Sequence, residues 1–227
     1  MYKNVKILQA KEHGFYRYTA PQDYYFAKDT NLIPVTFSEV KSLCCSYPII
    51  ILEQDDKPVL MLMTGTERNG AIDEKGQWTC SYLPAFLRRY PFILVADENN
   101  TETLQIGFDL EGGCFSSPDG NELFDVNGKP SEALINVKTL LETYNNEIQI
   151  TNNILQRLKE KELLQASQFN FKKEGEEDRS IGGFFIIDRK KLLEQDDTFL
   201  LETMKNGWME MIELHLLSLK QSNRLQL

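Results

Sequence analysis

The spacing of apolar and polar positions changes near residue 131. Before it, short apolar runs and alternating stretches of strand length dominate; after it, apolar residues recur every three or four positions, the helical period. Residues 1–34 alternate aromatic and polar types (Phe15, Tyr16, Tyr18, Tyr24, Tyr25, Phe26) and read as extended segments and loops. Thr36-Phe37-Ser38-Glu39 has capping-box spacing, which predicts a short helix over about 37–45 with Val40, Leu43 and Cys44 on one face. Tyr47 to Glu53 and Val59 to Met63 are apolar runs of strand length separated by the turn composition Gln54-Asp55-Asp56-Lys57-Pro58, a hairpin central in its sheet. Gln77 to Tyr82 sets Trp78, Cys80 and Tyr82 against Thr79 and Ser81, the alternation of a third strand extending that meander. Pro84 and Pro91 bracket at most a helical turn or two. Phe92 to Val95 and Leu104 to Phe108 form a second hairpin turning at 97–100, and the Gly-, Ser-, Pro- and Asp-rich stretch 109–130 is a long irregular connection that marks a domain boundary.

Beyond it, Leu134, Val137, Leu141 and Tyr144 define the face of one helix, and Ile154, Leu155 and Leu158 that of a second, with Lys159 to Glu162 on its solvated side. Phe169 to Phe171 and Phe184 to Ile187 flank the charged stretch Lys172 to Arg179 and read as a hairpin. Asp196 or Asp197 caps a helix ending at Asn206-Gly207, and a last helix runs from Trp208 to about Asn223. The fold class expected is α+β: a mostly antiparallel N-terminal sheet with short helices, then a helix-rich C-terminal part containing a β-hairpin. The expected division is a β-rich part over 1–130 and a helical part with a hairpin over 131–227, with one continuous domain as the alternative.

Composition narrows the function classes. The 227 residues carry 25 basic and 34 acidic side chains, a net charge of −9, and a chain of this size buries roughly 70% of its unfolded surface without needing disulfides. No cluster of Lys and Arg supplies the counterion release on which nucleic-acid affinity rests, so no nucleic-acid partner is expected. The apolar runs fall far short of the roughly 20 residues of a spanning helix, and the N-terminus interrupts its apolar residues with Lys, Asn and Gln, unlike an export signal. No membrane insertion and a cytoplasmic location are the expectation. Cys44, Cys45, Cys80 and Cys114 include no C-x-x-C pair, which suits reduced thiols better than a zinc site or disulfide framework. No cofactor or metal is expected.

Only two histidines are present. His215 falls on or beside the apolar stripe of the last helix and reads as a hydrogen-bonded core residue; Glu213, two positions away, points elsewhere and makes no helical metal pair with it. His13, before Gly14, reads as a turn residue in preference to a ligand-pocket residue. Cys44 and Cys80 lie on apolar faces, unsuited to nucleophilic work. Asp73, Glu74, Asp109, Glu111, Asp119, Asp125 and Asp188 stand in or beside turns, where carboxylates usually satisfy turn amides. Gly112-Gly113 and Gly182-Gly183 match neither a P-loop nor a dinucleotide fingerprint. The segment from Trp78 to Phe92 is the densest in unusual residues. Arg88 and Arg89, set among aromatics, can clamp a carboxylate or phosphate through their planar forks, or pair with an internal acid. Trp78, Tyr82, Arg88 and Arg89 are therefore the candidate ligand-binding residues.

This segment, Trp78-x-x-x-Tyr82-x-Pro84-Ala85-Phe86-x-Arg88-Arg89-Tyr90-Pro91-Phe92, resembles the bacterial SapC family. The likeness continues through Tyr25-Phe26-Ala27, Ile33-Pro34-Val35, Tyr47-Pro48-Ile49, Leu123-Phe124, Gly183-Phe184, Ile187-Asp188, Gly207-Trp208 and His215-Leu216. Where the family commonly has Gly-Glu-Asn-Leu-Phe, this chain has Thr66 to Ile72, a departure. The family takes its name from a surface-layer gene cluster. The resemblance implies an accessory role in surface-layer presentation or export; together with the missing catalytic groupings and the double arginine, the expectation is a non-enzymatic accessory or binding protein of surface-layer or cell-surface processes, with an anionic small molecule, a peptide or a surface-layer component as partner. Two other readings stand beside it: an enzyme modifying a peptide or surface component through His215 or His13 with carboxylates of 109–125, and a structural subunit of a surface assembly. Oligomeric state is left open.

Overall fold

The chain folds around antiparallel pairings that join segments far apart in sequence. The structure is a computed structural model and describes residues 1–97, 103–115, 118–171 and 179–225. In chain order the elements are β1 (Val5–Ile7), α1 (Ala10–His13), β2 (Arg17–Tyr18), β3 (Leu32–Pro34), α2 (Val40–Leu43), β4 (Ile49–Gln54), β5 (Lys57–Met63) and α3 (Ala85–Arg88). There follow β6 (Phe92–Ala96), β7 (Leu104–Asp109), β8 (Asn121–Glu122), α4 (Glu132–Glu160), β9 (Leu164–Phe171), β10 (Arg179–Ile187), α5 (Arg189–Leu193), α6 (Asp197–Lys205) and α7 (Trp208–Ser218). This is the expected α+β class. The turn over 98–100 and the hairpin tip over 172–178 lie outside the described residues.

Two compact units divide the chain, each assembled from three segments. The first comprises Met1–Lys28, Ile72–Trp78 and Ala85–Asn146. Its three-stranded sheet has the order β1-β7-β6, with Val5 opposite Asp109 and Phe92 opposite Phe108, and β2 pairs β8 through Arg17 and Glu122. Phe92, Phe108, Leu123, Leu134 and Leu141 form its buried core, with Tyr16, Tyr18 and Phe115 packed around them. Burying so many aromatic rings in one cluster contributes on the order of 2 kcal/mol per side chain.

The second unit comprises Asp29–Ala71, Thr79–Pro84 and Glu147–Leu227. Its five-stranded sheet has the order β3-β5-β4-β10-β9. The β4–β5 hairpin is central, as its unbroken apolar pattern predicts: Ile49, Ile50, Ile51 and Leu62 are all buried. Asp55 and Asp56 close it in two residues, both at positive φ (50° and 61°), the primed turn whose twist matches the strands. On the β4 flank the C-terminal hairpin β9–β10 joins through Phe185 opposite Ile51, so the N-terminal sheet is completed by C-terminal strands. Helix α7 packs against β4, β10, α2 and α6.

Two expectations about elements are corrected. Gln77 to Tyr82 is not a strand of the meander: Trp78 makes a single bridge to Ile72, and the free side of β5 is taken by β3, with Leu32 opposite Met63. The two helices expected between 131 and 162 are one, α4, of 29 residues. No Gly or Pro interrupts residues 132–160, so the polar stretch between the two apolar stripes stays helical. The capping box is present, with the Thr36 amide donating to the Glu39 carboxylate at 2.9 Å, and a 3-10 turn over Phe37–Glu39 leads into α2. The Asp196 cap and the left-handed Gly207 (φ 74°) delimit α6.

Candidate functional site

The Trp78 to Phe92 segment contributes to both units. Trp78, Arg88 and Arg89 belong to the first, where Trp78 is half-buried and Arg88 exposed; Tyr82 belongs to the second, where its hydroxyl donates to Glu39 Oε1 at 3.1 Å.

Arg89 follows the single turn of α3, its amide donating to the Ala85 carbonyl at 3.0 Å. Its guanidinium carbon lies 4.6 Å from the ring centre of Phe86, 4.9 Å from that of Tyr144 and 6.0 Å from that of Tyr2. The weakly hydrated guanidinium tolerates such a setting, where each aromatic face contributes on the order of 1 kcal/mol. Among the described residues no carboxylate lies within 4.0 Å of it, and its buried Nε has no hydrogen-bond partner. The internal-acid alternative for Arg89 is therefore not what the described residues present.

Beside it, Tyr2 donates its hydroxyl to the Phe92 carbonyl at 2.8 Å, and burial pushes its pKa up to about 12 against the opposing charge of Arg89. Tyr90 stacks on Phe26 with ring centres 3.9 Å apart and donates to Asp109 Oδ2 at 3.1 Å. Asp109 is fully buried and also receives the amides of Lys3 and Asn4, each at 3.0 Å, and of Glu111 at 3.3 Å. Burial raises its pKa, yet the amides of Asn4 and Lys3, the Tyr90 hydroxyl and the Glu111 amide outweigh that and hold it below the usual carboxylate range. Asp109 thus keeps its charge and serves as a buried knot tying β7 to the N-terminal segment.

Both histidines and the turn carboxylates are engaged in local structure. His215 is fully buried in the second unit; its Nε2 accepts the Ile187 amide at 3.3 Å, and burial pushes its pKa down to about 4 against the Ile49 backbone. His13 closes α1, accepting the Gln9 amide on Nδ1 at 3.0 Å and lying edge-on to Phe108 at 5.0 Å. No carboxylate among the described residues lies within 4.0 Å of either ring. Asp73 and Asp125 each accept two turn amides at 2.8 Å, and Asp188 caps α5. Burial pushes the Cys44, Cys80 and Cys114 thiols up, Cys114 to about 11. Of the groups around Arg89, Phe86 and Tyr90 stood in the segment the sequence singled out, Asp109 appeared as a turn carboxylate and Tyr144 as an apolar helix-face residue, and Tyr2 carried no signal. A cavity of about 300 Å³ in the second unit, lined by Leu52, Pro58, Leu164 and Phe185 together with Glu53, Lys159, Glu162 and Lys191, also had no local signal.

These observations define an antiparallel α+β protein, none of whose described helices is long and apolar enough to cross a membrane, with an aromatic-held arginine in its first unit. The SapC family model matches residues 8–225, and the chain belongs to the SapC family. No curated protein and no solved structure matches it.

Proposed function

We propose that this SapC-family chain is a non-enzymatic accessory or binding protein of surface-layer or cell-surface processes, and that Arg89, with Arg88 beside it, receives an anionic group of a small molecule or peptide. The supporting observation is the Arg89 guanidinium: it is held by Phe86, Tyr144 and Tyr2, and no carboxylate of the described residues neutralises it within 4.0 Å. A partly desolvated charge of this kind gains from a bidentate anion, and charge-assisted bonds to a planar fork are the stronger class. The occupied state of His13, His215 and Asp109 also favours binding over acid–base or nucleophilic chemistry.

A thermal-shift panel of small carboxylates, phosphates and acidic peptides tests the reading on the full chain. The expected result is a concentration-dependent rise in melting temperature that Arg89→Ala abolishes and Arg88→Ala weakens. No rise with any anion, or an equal rise in wild type and Arg89→Ala, sinks it.

A further inference from the structure

Two thiols sit side by side where α2 ends. The Cys44 amide donates to the Val40 carbonyl at 2.9 Å and its Sγ to the Lys41 carbonyl at 3.5 Å, which fixes the side chain against the helix with 4% of the residue exposed. Cys45, the next residue, is exposed, and the two sulfurs are 3.8 Å apart. Cys114 belongs to the other unit, and Cys80 is only partly exposed.

We propose that Cys44 and Cys45 form a reversible oxidation site for hydroperoxides, with Cys45 the thiol that is oxidised and Cys44 the thiol that resolves it. Access sets the order: a peroxide meets Cys45 first, and oxidation-sensing cysteines are typically exposed with a resolving thiol beside them. The Cys45 thiolate attacks one peroxide oxygen; the S–O bond forms, the O–O bond breaks, and the departing oxygen leaves as water or alcohol after taking a proton. Sulfur is oxidised by two electrons and the peroxide reduced by two. The Cys44 sulfur then attacks the Cys45 sulfur, the S–S bond forms, and hydroxide leaves with the Cys44 proton as water. For hydrogen peroxide the sum is two thiols plus one peroxide giving one disulfide and two waters. Burial and the neighbouring Cys45 keep Cys44 protonated until that step. Neighbouring residues have Cα atoms about 3.8 Å apart, closer than the roughly 4.4–6.8 Å usual across a disulfide, so the eight-membered ring is readily opened by a monothiol.

Peptide mass spectrometry of the full chain after one equivalent of hydrogen peroxide tests the assignment. The wild-type peptide carrying both residues should become lighter by two hydrogens and return to its starting mass with dithiothreitol. Cys44→Ser should stop with one or more added oxygens on Cys45, trapped by dimedone at the first; Cys45→Ser should leave Cys44 unmodified. Added oxygen on wild-type Cys45 without the lighter product, a disulfide joining two chains through Cys45, or no reaction at equivalent peroxide each overturn the proposal. The wild-type measurement decides it even if the buried Cys44→Ser variant folds poorly.

Discussion

The Nε2 of His215 accepts the backbone amide of Ile187 at 3.3 Å, so a helix side chain takes the place of a ladder partner at the end of β10. Three residues on, Ser218 Oγ receives the Ile49 amide at 2.9 Å and donates to the His215 carbonyl at 2.6 Å. A neutral imidazole accepting on Nε2 carries its hydrogen on Nδ1. Protonation removes the acceptor and buries a charge, consistent with a pKa pushed down to about 4 from an ordinary 6.5.

Because the folded-state pKa is the lower one, the stability tied to neutral His215 is complete above pH 6.5 and is lost as pH falls from 6.5 to about 4. Its size is on the order of 3 kcal/mol. Urea denaturation at several pH values across this window should show the loss, and His215→Gln should flatten it. An unchanged slope in that variant refutes the assignment.

Asp109 governs a lower window. Its depressed pKa supplies stability that is present above the unfolded carboxylate value of about 3.9 and disappears below it. Asp109→Ala leaves the Lys3 and Asn4 amides and the Tyr90 hydroxyl without their acceptor, at a cost of about 3 kcal/mol. Chemical denaturation at pH 7 measures it, and a cost under about 1 kcal/mol would show that the knot is replaceable.

Gly65 begins the loop that follows β5. A Cβ there would stand 2.0 Å from the Arg68 carbonyl oxygen, and one on Gly70 would stand 2.6 Å from that of Thr64. Asn31 ties the loop down by donating to the Gly65 and Thr66 carbonyls, and buried Asn69 accepts the Ala71 amide at 3.1 Å. Gly65→Ala should cost about 2 kcal/mol or more because the obstacle is backbone. Thermal unfolding checks this, and wild-type stability would mean the loop opens at little cost.

Arg89→Lys should not rescue the anion-dependent thermal shift lost in Arg89→Ala. A lysine keeps the charge but neither the planar face that lies on Phe86 and Tyr144 nor the two-pronged donor geometry. Full rescue would mean that charge alone suffices.

What the sequence disclosed follows the range of the forces involved. The Asp55-Asp56 turn, the Thr36–Glu39 box, the Asp196 cap and the strand pairs around them depend on near neighbours, and all were legible. Trp78, Cys80 and Tyr82 alternate as a strand does, but whether they pair depends on which edges remain open, and Leu32 and Phe185 had already claimed them from distant segments. The continuity of α4 was hidden because each apolar stripe looked complete in itself. Arg89 could be singled out by its aromatic surroundings in sequence, yet two of the rings that hold it, Tyr2 and Tyr144, arrive only through tertiary folding.

The seam between β4 and β10 ties the fold to the order of its synthesis. β4 emerges from the ribosome early, β10 late, and the side chains that receive the Ile49 and Ile187 amides come later still, on α7. A nascent chain ending before Trp208 holds two strands whose donors at this seam have no acceptor, a deficit of about 1–3 kcal/mol for each buried amide. Removal of α7 is therefore felt far from the helix itself, at the middle of the five-stranded sheet.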